Sequence, residues 1–307
     1  MSAPTVSTPT ITAVVCTRHR TDDLRRCLRS VLWQDGVVAD VLIIDDADPD
    51  RRQQTVELCD EIAGGDRRNV RIVTKDEPGL TASRNLALDL VDTDLIVFFD
   101  DDVVLHPSYM RSIVEAFWSD AALVGAGGSI DDDHDYELPV LRGLLLLPGR
   151  TTGRVYRSGW SSQSPRGSDR RVEHLIGCNM AYRMSVVRGR RFNDAFAGYA
   201  LGEDLEFSHA LHLDGHALRS VGDARLWHLT ALPRHDKAWG YREVAIRPVV
   251  AGRRFSRLAF LISATAFLAV NARRNRERAK GNVAAIRDVL ANRVTAEAQT
   301  IEKGAKT

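Results

Sequence analysis

Three consecutive carboxylates, Asp100, Asp101 and Asp102, follow the apolar segment 95–99. Like charges this close oppose one another's ionisation unless a cation or strong hydrogen bonds compensate them. Side chains alternate along an extended chain, so Asp100 and Asp102 can face the same way. Oxygen ligands of this kind suit Mg²⁺ or Mn²⁺, particularly where phosphate oxygens complete the coordination shell. The alternative is a solvated acidic turn, which the apolar segment ahead of the cluster disfavours.

A second group of chemically capable residues lies further along the chain. Glu203 and Asp204 begin a predicted helix, where the helix dipole favours an ionised carboxylate that can accept a proton. Capping of the helix explains an acidic residue at this position equally well. His228, after Leu226 and Trp227, is either a metal ligand or a structural histidine at a strand end.

Two further candidates have similarly open interpretations. Asp46 follows a predicted strand and precedes Pro49, so it is either a ligand-binding carboxylate or a turn residue. Arg84 lies in the predicted helix 80–90, whose start could place backbone N–H groups near a phosphate. Arg84 could equally be a surface residue of that helix.

Alternating strands and helices must position these residues. Apolar runs predict strands at 11–15, 41–44, 70–73, 95–99 and 123–126, and helical periodicity predicts helices at 22–33, 51–63, 80–90 and 108–119. This alternation favours a parallel sheet covered by helices on both faces. Ligands of such sheets bind beyond the carboxyl ends of the strands, where the polar clusters 17–20, 45–48 and 100–102 would meet. The sequence therefore predicts a ligand site at that edge.

Composition excludes several classes of protein. The 307 residues are 44% hydrophobic and 27% charged, which excludes wholesale disorder and collagen-like structure. Lys plus Arg (42) nearly balances Asp plus Glu (41), which argues against a nucleic-acid partner. The four scattered cysteines indicate a reducing compartment. The start of the chain lacks a secretory-signal pattern, and the uncharged segment 258–272 is too short to span a bilayer.

Residues 253–280 carry eight basic residues against the single acidic Glu277, a charge of +7 that leaves −6 for the rest of the chain. The apolar sequence LAFLISATAFLAV lies between the basic groups. Three interpretations of this segment are open: it lies on an anionic membrane surface, it packs on the catalytic domain, or it forms a homodimer contact.

Four motifs stand in order along the chain: VVCTRHRTDDLRRCLRSVLWQ, VLIIDDADPD, GLTASRNLALDLVDTDLIVFFDDDV and GEDLEFSHALHLDGH. Together, over about residues 11–235, they resemble the family 2 glycosyltransferases, inverting enzymes of the A-type glycosyltransferase fold. The resemblance implies an α/β fold with a Rossmann-like, mostly parallel central sheet flanked by helices, extended here by C-terminal helices. It also implies a UDP-, GDP- or dTDP-sugar donor, a divalent metal, and direct displacement at the anomeric carbon.

The resemblance assigns five residues to donor binding. Thr17 and His19 match positions that contact the nucleoside, although the family often has Tyr where His19 stands. Asp46 matches the carboxylate that binds the base or ribose. Arg84 matches an arginine on the nucleotide side, and Asp101 matches a carboxylate near the donor sugar or ribose.

The resemblance also assigns the catalytic and metal-binding residues. Asp204 matches the general base, with Glu203 beside it in a supporting role. Asp102 matches the direct ligand of Mn²⁺ or Mg²⁺, with Asp100 and His228 completing the metal site.

The sequence departs from the processive polysaccharide synthases of this family. Their Q-x-x-R-W motif and their multiple transmembrane helices are absent, so we expect one sugar to be added per encounter. The acceptor is a small molecule, a glycan or a lipid-linked compound, and we expect the loop 151–171, which contains Trp160, to help select it. Two alternatives remain: a nucleotidyltransferase, which releases pyrophosphate, and a catalytically silent nucleotide-sugar-binding scaffold.

The expected domain organisation follows from these assignments. Residues 1–10 form a disordered leader, and residues 11–235 form the catalytic domain, with a nucleotide-binding half at about 11–127 and an acceptor half at 128–235. A C-terminal helical region spans 236–295, and a tail spans 296–307. We expect a cytoplasmic protein, either free or peripheral on the inner face of the membrane.

Overall fold

The computed structural model describes residues 9–64, 69–131, 152–163, 166–196, 200–229 and 236–294. Residues 1–8 of the predicted leader and the whole predicted tail lie outside these ranges.

A single mixed sheet of nine strands forms the centre of the described residues. The strands are β1 (Ile11–Thr17), β2 (Asp40–Asp45), β3 (Val70–Thr74), β4 (Leu95–Asp100), β5 (Val103–Leu105), β6 (Leu123–Ile130), β7 (Arg170–Val172), β8 (Asn179–Arg183) and β9 (Ala217–His228). Their order is β3-β2-β1-β4-β8-β6-β9-β5, with β7 also paired to β9.

The sheet is parallel where the sequence alternates strand with helix. β1 pairs in parallel with β2 and β4, β2 with β3, and β6 with β9. β8 is antiparallel to both β4 and β6, and β5 and β7 are antiparallel to β9. The prediction of a mostly parallel sheet is confirmed. The antiparallel strands come from residues after 102, where the regular alternation of strand and helix ends.

Helices cover both faces of the sheet. The described α-helices are α1 (Thr21–Leu32), α2 (Arg52–Ala63), α3 (Leu80–Leu90), α4 (Tyr109–Ser119), α5 (Met184–Val187), α6 (Glu203–Leu213), α7 (Lys237–Ala245), α8 (Arg247–Ala251), α9 (Arg257–Arg274) and α10 (Arg276–Leu290). Of these, α1 to α6 contact the sheet. The predicted bounds of α1 to α4 are confirmed to within one residue at each end.

The core lies in two layers because side chains alternate along the central strands. Ala13 of β1 and Phe99 of β4 belong to one layer, together with the apolar stripe of α1. Val14 of β1 and Phe98 of β4 belong to the other layer, together with Leu88 of α3. Both faces of β1 and β4 are therefore buried, which explains the continuous apolar runs that end in the polar clusters.

The C-terminal helices pack on one another and on the segment 152–163. Gly240 of α7 and Gly281 of α10 allow the two helices to touch, because a Cβ atom at either position would lie 2.1 Å from a backbone carbonyl oxygen of the other helix. Trp160 is buried against Phe260 and Phe267 of α9. Trp160, which we expected in an acceptor-selecting loop, is therefore a packing residue.

Candidate active site

A cleft of about 840 Å³ opens at the carboxyl ends of the central strands. Seven parts of the chain meet there: the ends of β1, β2, β4 and β9, the loop before β8 and the starts of α3 and α6. The lining includes nine residues that chemistry or resemblance singled out: Thr17, Asp46, Arg84, Asp100, Asp101, Asp102, Glu203, Asp204 and His228. The predicted convergence of polar clusters at this edge of the sheet is thus present in the structure.

Two arginines compensate the charge of the three carboxylates. Arg20 Nη1 donates to Asp101 Oδ1 at 2.8 Å and to Asp102 Oδ2 at 3.0 Å. Arg84 Nη2 donates to Asp100 Oδ1 at 3.1 Å. Each member of the acidic cluster therefore has a cationic partner, and a solvated acidic turn does not describe it.

The three carboxyl groups differ in their electrostatic surroundings. Burial raises the pKa of Asp101 to about 6, against the opposing hydrogen bonds from Arg20 and from Thr17, whose Oγ1 donates to Asp101 Oδ2 at 2.8 Å. Burial also raises the pKa of Asp100, with Arg84 opposing. For Asp102 burial acts in the same direction, but the hydrogen bond and charge of His228, together with Arg20, bring its pKa below the ordinary value.

Asp100, Asp102 and His228 form a candidate metal site. One ligand atom from each residue lies within 4.8 Å of the others. The pairing of β5 with β9 brings them together, since it places His228 opposite Val103, the residue that follows Asp102. His228 Nε2 lies 3.1 Å from Asp102 Oδ1. Two carboxylates and one imidazole form a donor set that fits Mn²⁺, and the carboxylates also fit Mg²⁺.

Asp204 lies in the first turn of α6, as the sequence predicts. Gly202 precedes the helix with a positive φ of 87°, which favours glycine. The backbone N–H of Gly177 donates to Asp204 Oδ2 at 2.7 Å and fixes one carboxylate oxygen. The carboxylate of Asp204 is thus held at the cleft by contacts from outside its own helix.

Arg84 and Glu203 form a buried ion pair beneath the cleft. Arg84 is 1% exposed and Glu203 is 3% exposed. Arg84 Nη1 donates to Glu203 Oε1, and its Nη2 also donates to the carbonyl oxygen of Gly177 at 3.0 Å. Burial raises the pKa of Glu203, and Asp204 acts in the same direction, while the charge of Arg84 opposes both and favours the carboxylate form. Arg84 therefore links the end of β4, which carries the candidate metal ligand Asp100, to the helix that carries Asp204.

The two remaining donor-side candidates differ in position: Asp46 lines the cleft and His19 does not. Asp46 is buried, and its Oδ2 accepts a hydrogen bond from the Gly79 N–H at 2.7 Å. Lys75 Nζ lies 3.4 Å from the same oxygen. His19 has a positive φ of 58° and accepts a hydrogen bond from the Asp48 N–H at its Nε2. His19 is not one of the described residues that line the cleft.

The model of a known protein family matches this chain. The model described as Glycosyl transferase family 2 matches residues 12–190, which include the strands and helices that hold the acidic cluster. The chain belongs to glycosyl transferase family 2. It is therefore an enzyme of an inverting family of glycosyltransferases, and the function class that the four motifs indicate is confirmed.

One curated relative of this glycosyltransferase matches it over a limited region. Glycosyltransferase GlyA of Streptococcus pneumoniae serotype 4 is 25% identical over 103 residues, which are 34% of this chain and 14% of that protein. The chain thus matches only a small part of that relative.

Solved structures share the fold at low sequence identity. GalNAc-T7 with UDP, GalNAc and Mn²⁺ has a TM-score of 0.59 at 14% identity, over 74% of this chain and 45% of that one. Mannosyltransferase PcManGT of Pyrobaculum calidifontis, in complex with GDP-Man and Mn²⁺, has a TM-score of 0.55 at 14% identity, over 97% and 89%. TarS 1–349 of S. aureus with UDP-GlcNAc has a TM-score of 0.55 at 15% identity, over 86% and 73%. The A-type glycosyltransferase fold is confirmed.

Three residues of the candidate site were not among the sequence candidates. Arg20 pairs with two members of the acidic cluster, Arg18 lines the cleft, and Gly177 holds Asp204. The two arginines stand directly after β1, in the polar cluster 17–20, and that position is the signal that could have identified them. Gly177 has no comparable signal, because its role depends on a contact with a residue far along the chain.

Proposed function

We propose that this enzyme transfers a sugar from a nucleoside-diphosphate sugar to an acceptor hydroxyl, with inversion and with Mn²⁺ or Mg²⁺ as cofactor. One observation carries the proposal. Asp204, a candidate base, lines the same cleft as the candidate metal ligands Asp100, Asp102 and His228. An inverting displacement needs a base for the attacking hydroxyl and a positive charge for the departing diphosphate, and this cleft offers groups for both.

The metal site would be formed by Asp100, Asp102 and His228, with Asp102 as the direct ligand. A divalent ion held there would supply the positive charge that stabilises a leaving diphosphate. Arg20 already pairs with Asp101 and Asp102, and together with Arg18 it adds positive charge to the same part of the cleft. Arg20 is offset by the carboxylates with which it pairs, so most of the positive charge that faces an anionic donor would come from the bound ion.

Asp204 would act as the general base. Gly177 occupies its Oδ2 with a backbone N–H, so Oδ1 is the oxygen that would take the proton of the acceptor hydroxyl. The acceptor oxygen forms the new bond to the anomeric carbon as the bond from that carbon to the phosphate oxygen breaks. The electron pair of the broken bond leaves with the nucleoside diphosphate. Displacement from the opposite face inverts the anomeric configuration.

Arg84 and Glu203 would position the reacting groups. The resemblance places Arg84 on the nucleotide side, but its guanidinium is occupied by Glu203, Asp100 and the Gly177 carbonyl. We therefore assign Arg84 a positioning role: it fixes Asp100 of the metal site and, through Glu203 and Gly177, the base Asp204. Glu203 supports the base as the buried counter-ion of Arg84.

The donor would lie along the strand ends from β2 to β4. Asp46 would bind the base or ribose, and Thr17 and His19 would contact the nucleoside. Asp101 would face the donor sugar or ribose. Structures of the same fold bind UDP, UDP-GlcNAc and GDP-Man, which supports a UDP-, GDP- or dTDP-sugar as the donor here.

The acceptor hydroxyl would belong to a small molecule, a glycan or a lipid-linked compound. One sugar would be added per encounter, since the Q-x-x-R-W motif of the processive synthases is absent from the sequence. The scattered cysteines favour a cytoplasmic location, either free or on the inner membrane face. The proposed organisation is the catalytic domain 11–235, with its halves at about 11–127 and 128–235, followed by the helical region 236–295.

A panel of nucleotide sugars with Mn²⁺ or Mg²⁺ and simple acceptors tests the proposal. Release of a nucleoside diphosphate that requires both donor and metal supports it. Release of pyrophosphate would indicate a nucleotidyltransferase instead. Donor binding without any turnover across the acceptor panel would indicate a silent binding protein.

A further inference from the structure

One face of α9 is apolar and open to solvent. Leu258 is 70% exposed, Leu261 37% and Ile262 39%. Thr265, Ala269 and Ala272 continue this face at helical spacing, and the Thr265 hydroxyl is satisfied by the Leu261 and Ile262 carbonyl oxygens. We call these six residues, Leu258, Leu261, Ile262, Thr265, Ala269 and Ala272, the outer face of α9.

The opposite face of α9 fixes the helix to the rest of the protein. Phe260 and Ala264 are fully buried, and Phe260 packs against Trp160 of the catalytic region. Asn271 donates to Asn282 of α10 at 2.8 Å. The contacts of the opposite face fix the rotation of α9, so the outer face stays exposed to solvent.

Arginines flank the outer face at both ends. Arg257 stands at its start, and Arg273, Arg274 and Arg276 stand at its end, all exposed. Within the described residues, no ion pair neutralises the last three. The 18 residues of α9 include no acidic side chain, so nothing on the helix itself balances them.

The charges decide between the two occupants that fit an apolar face. A second copy of α9, whether parallel or antiparallel, would place arginines beside arginines, because both ends of the helix are basic. Anionic lipid headgroups complement both ends at once and leave the apolar residues to the acyl boundary. Within the part of the chain that the structure describes, no helix is both long enough and apolar enough to cross a bilayer.

We infer that the outer face of α9 docks this enzyme on an anionic membrane surface. The helix lies in the plane of the interface, with Leu258, Leu261 and Ile262 inserted and the arginines at both ends on lipid phosphates. This mode of binding adds to the proposed reaction and does not depend on it.

Co-sedimentation with vesicles tests this docking. The intact protein should sediment with vesicles of phosphatidylcholine and phosphatidylglycerol, should bind pure phosphatidylcholine poorly, and should lose binding at high salt. Arg273→Glu with Arg274→Glu should weaken binding by about 30-fold or more, on the basis of the usual contribution of a basic residue near an anionic surface. Leu258→Glu with Ile262→Glu should abolish binding by removing the inserted residues.

Matched variants on the catalytic domain provide the controls. Arg111→Glu with Arg170→Glu reverses two exposed charges away from α9, and Val38→Glu replaces an apolar side chain that is 81% exposed. These variants should sediment like the intact protein. All substituted side chains are on the surface, and circular dichroism melting checks each fold.

The docking is overturned if the intact protein does not sediment with phosphatidylglycerol vesicles, or if the α9 variants bind as well as the controls. A dimer in light scattering that Leu258→Glu dissociates would also overturn it, in favour of a second copy. Because sedimentation needs neither donor nor acceptor, its failure leaves the proposed sugar transfer standing, and failure of transfer leaves the docking standing.

Discussion

The backbone N–H of Gly177 donates a hydrogen bond to Oδ2 of Asp204 across 2.7 Å. The two residues belong to different parts of the chain, the loop before β8 and the first turn of α6. The contact fixes one carboxylate oxygen, and the other is the one that we propose accepts the proton of the acceptor hydroxyl. Gly177 also accepts a hydrogen bond from Arg84 at its carbonyl oxygen, so Asp204 and the buried ion pair contact the same residue of the loop.

Gly177→Ala is expected to lower kcat with little change in donor affinity. A Cβ atom at this position would lie 2.9 Å from Asp204 Oδ2 and 3.2 Å from its Cγ, so the carboxylate must move. A displacement of about 1 Å at a reacting group can reduce the rate by about 100-fold. Steady-state kinetics and donor titration measure the two quantities, and a variant with unchanged kcat would contradict the assigned role of this contact.

Arg84→Gln is expected to destabilise the fold by about 3–5 kcal/mol, because it leaves the buried Glu203 carboxylate without its cation. Adding Glu203→Gln should recover part of this loss, since the uncompensated charge is then gone. Urea denaturation of the two single variants and the double variant gives the coupling free energy. If the double variant loses as much free energy of unfolding as the two single variants together, the pair is not coupled. Activity should stay low in the double variant, because Asp100 and Gly177 have still lost Arg84.

Asp102→Asn and His228→Ala are each expected to weaken Mn²⁺ binding by about 100-fold, since even indirect partners of metal ligands contribute about 10–100-fold. The matched control is His216→Ala, a histidine outside the cleft, which should bind Mn²⁺ like the intact protein. Calorimetric titration with Mn²⁺ alone measures the affinity without any reaction. Equal affinity in all four proteins would exclude this donor set as the metal site.

Acidification is expected to destabilise the fold through His209. This side chain is 1% exposed, and its Nδ1 lies 2.7 Å from the Val250 carbonyl oxygen, which requires a proton on Nδ1. Burial lowers its pKa from 6.5 to about 4. Between these values the unfolded chain binds more protons than the folded one, so the free energy of unfolding falls as the pH falls.

His209→Gln keeps an N–H donor for Val250 and removes the titration. The melting temperature of this variant should decline less steeply than that of the parent between pH 6.5 and pH 4. Identical slopes for the two proteins would contradict a neutral, buried His209.

Much of the site could be predicted from the sequence because its residues follow strand ends. An apolar strand that runs directly into Asp100, Asp101 and Asp102 indicates a ligand site at the end of that strand, and α6 begins at Glu203 as expected. The orientation of Arg84 could not be predicted, since a helix pattern does not tell which neighbouring element supplies the counter-ions. His228 could be placed only through the β5–β9 pairing, a contact between residues more than 100 positions apart.

In the C-terminal region the sequence could not predict which residues are exposed. Its apolar sequence leaves packing on the catalytic domain, a membrane surface and a homodimer contact open, and in the structure the inner face of α9 is buried while Leu258 and Ile262 are exposed. Hydropathy alone does not tell which face of α9 is buried. That depends on tertiary packing, such as the contact of Phe260 with Trp160. Periodicity gives the helix, but tertiary packing decides which side is covered.

Asp204→Asn tests the central proposal most directly. The substitution keeps the size of the side chain but removes its capacity to accept a proton, so transfer from the best donor of the panel should fall by about 100- to 10,000-fold while donor and Mn²⁺ affinities stay unchanged. Glu206→Gln, which changes another acid in the first turn of the same helix, should remain active. Full turnover by Asp204→Asn would contradict the assigned base.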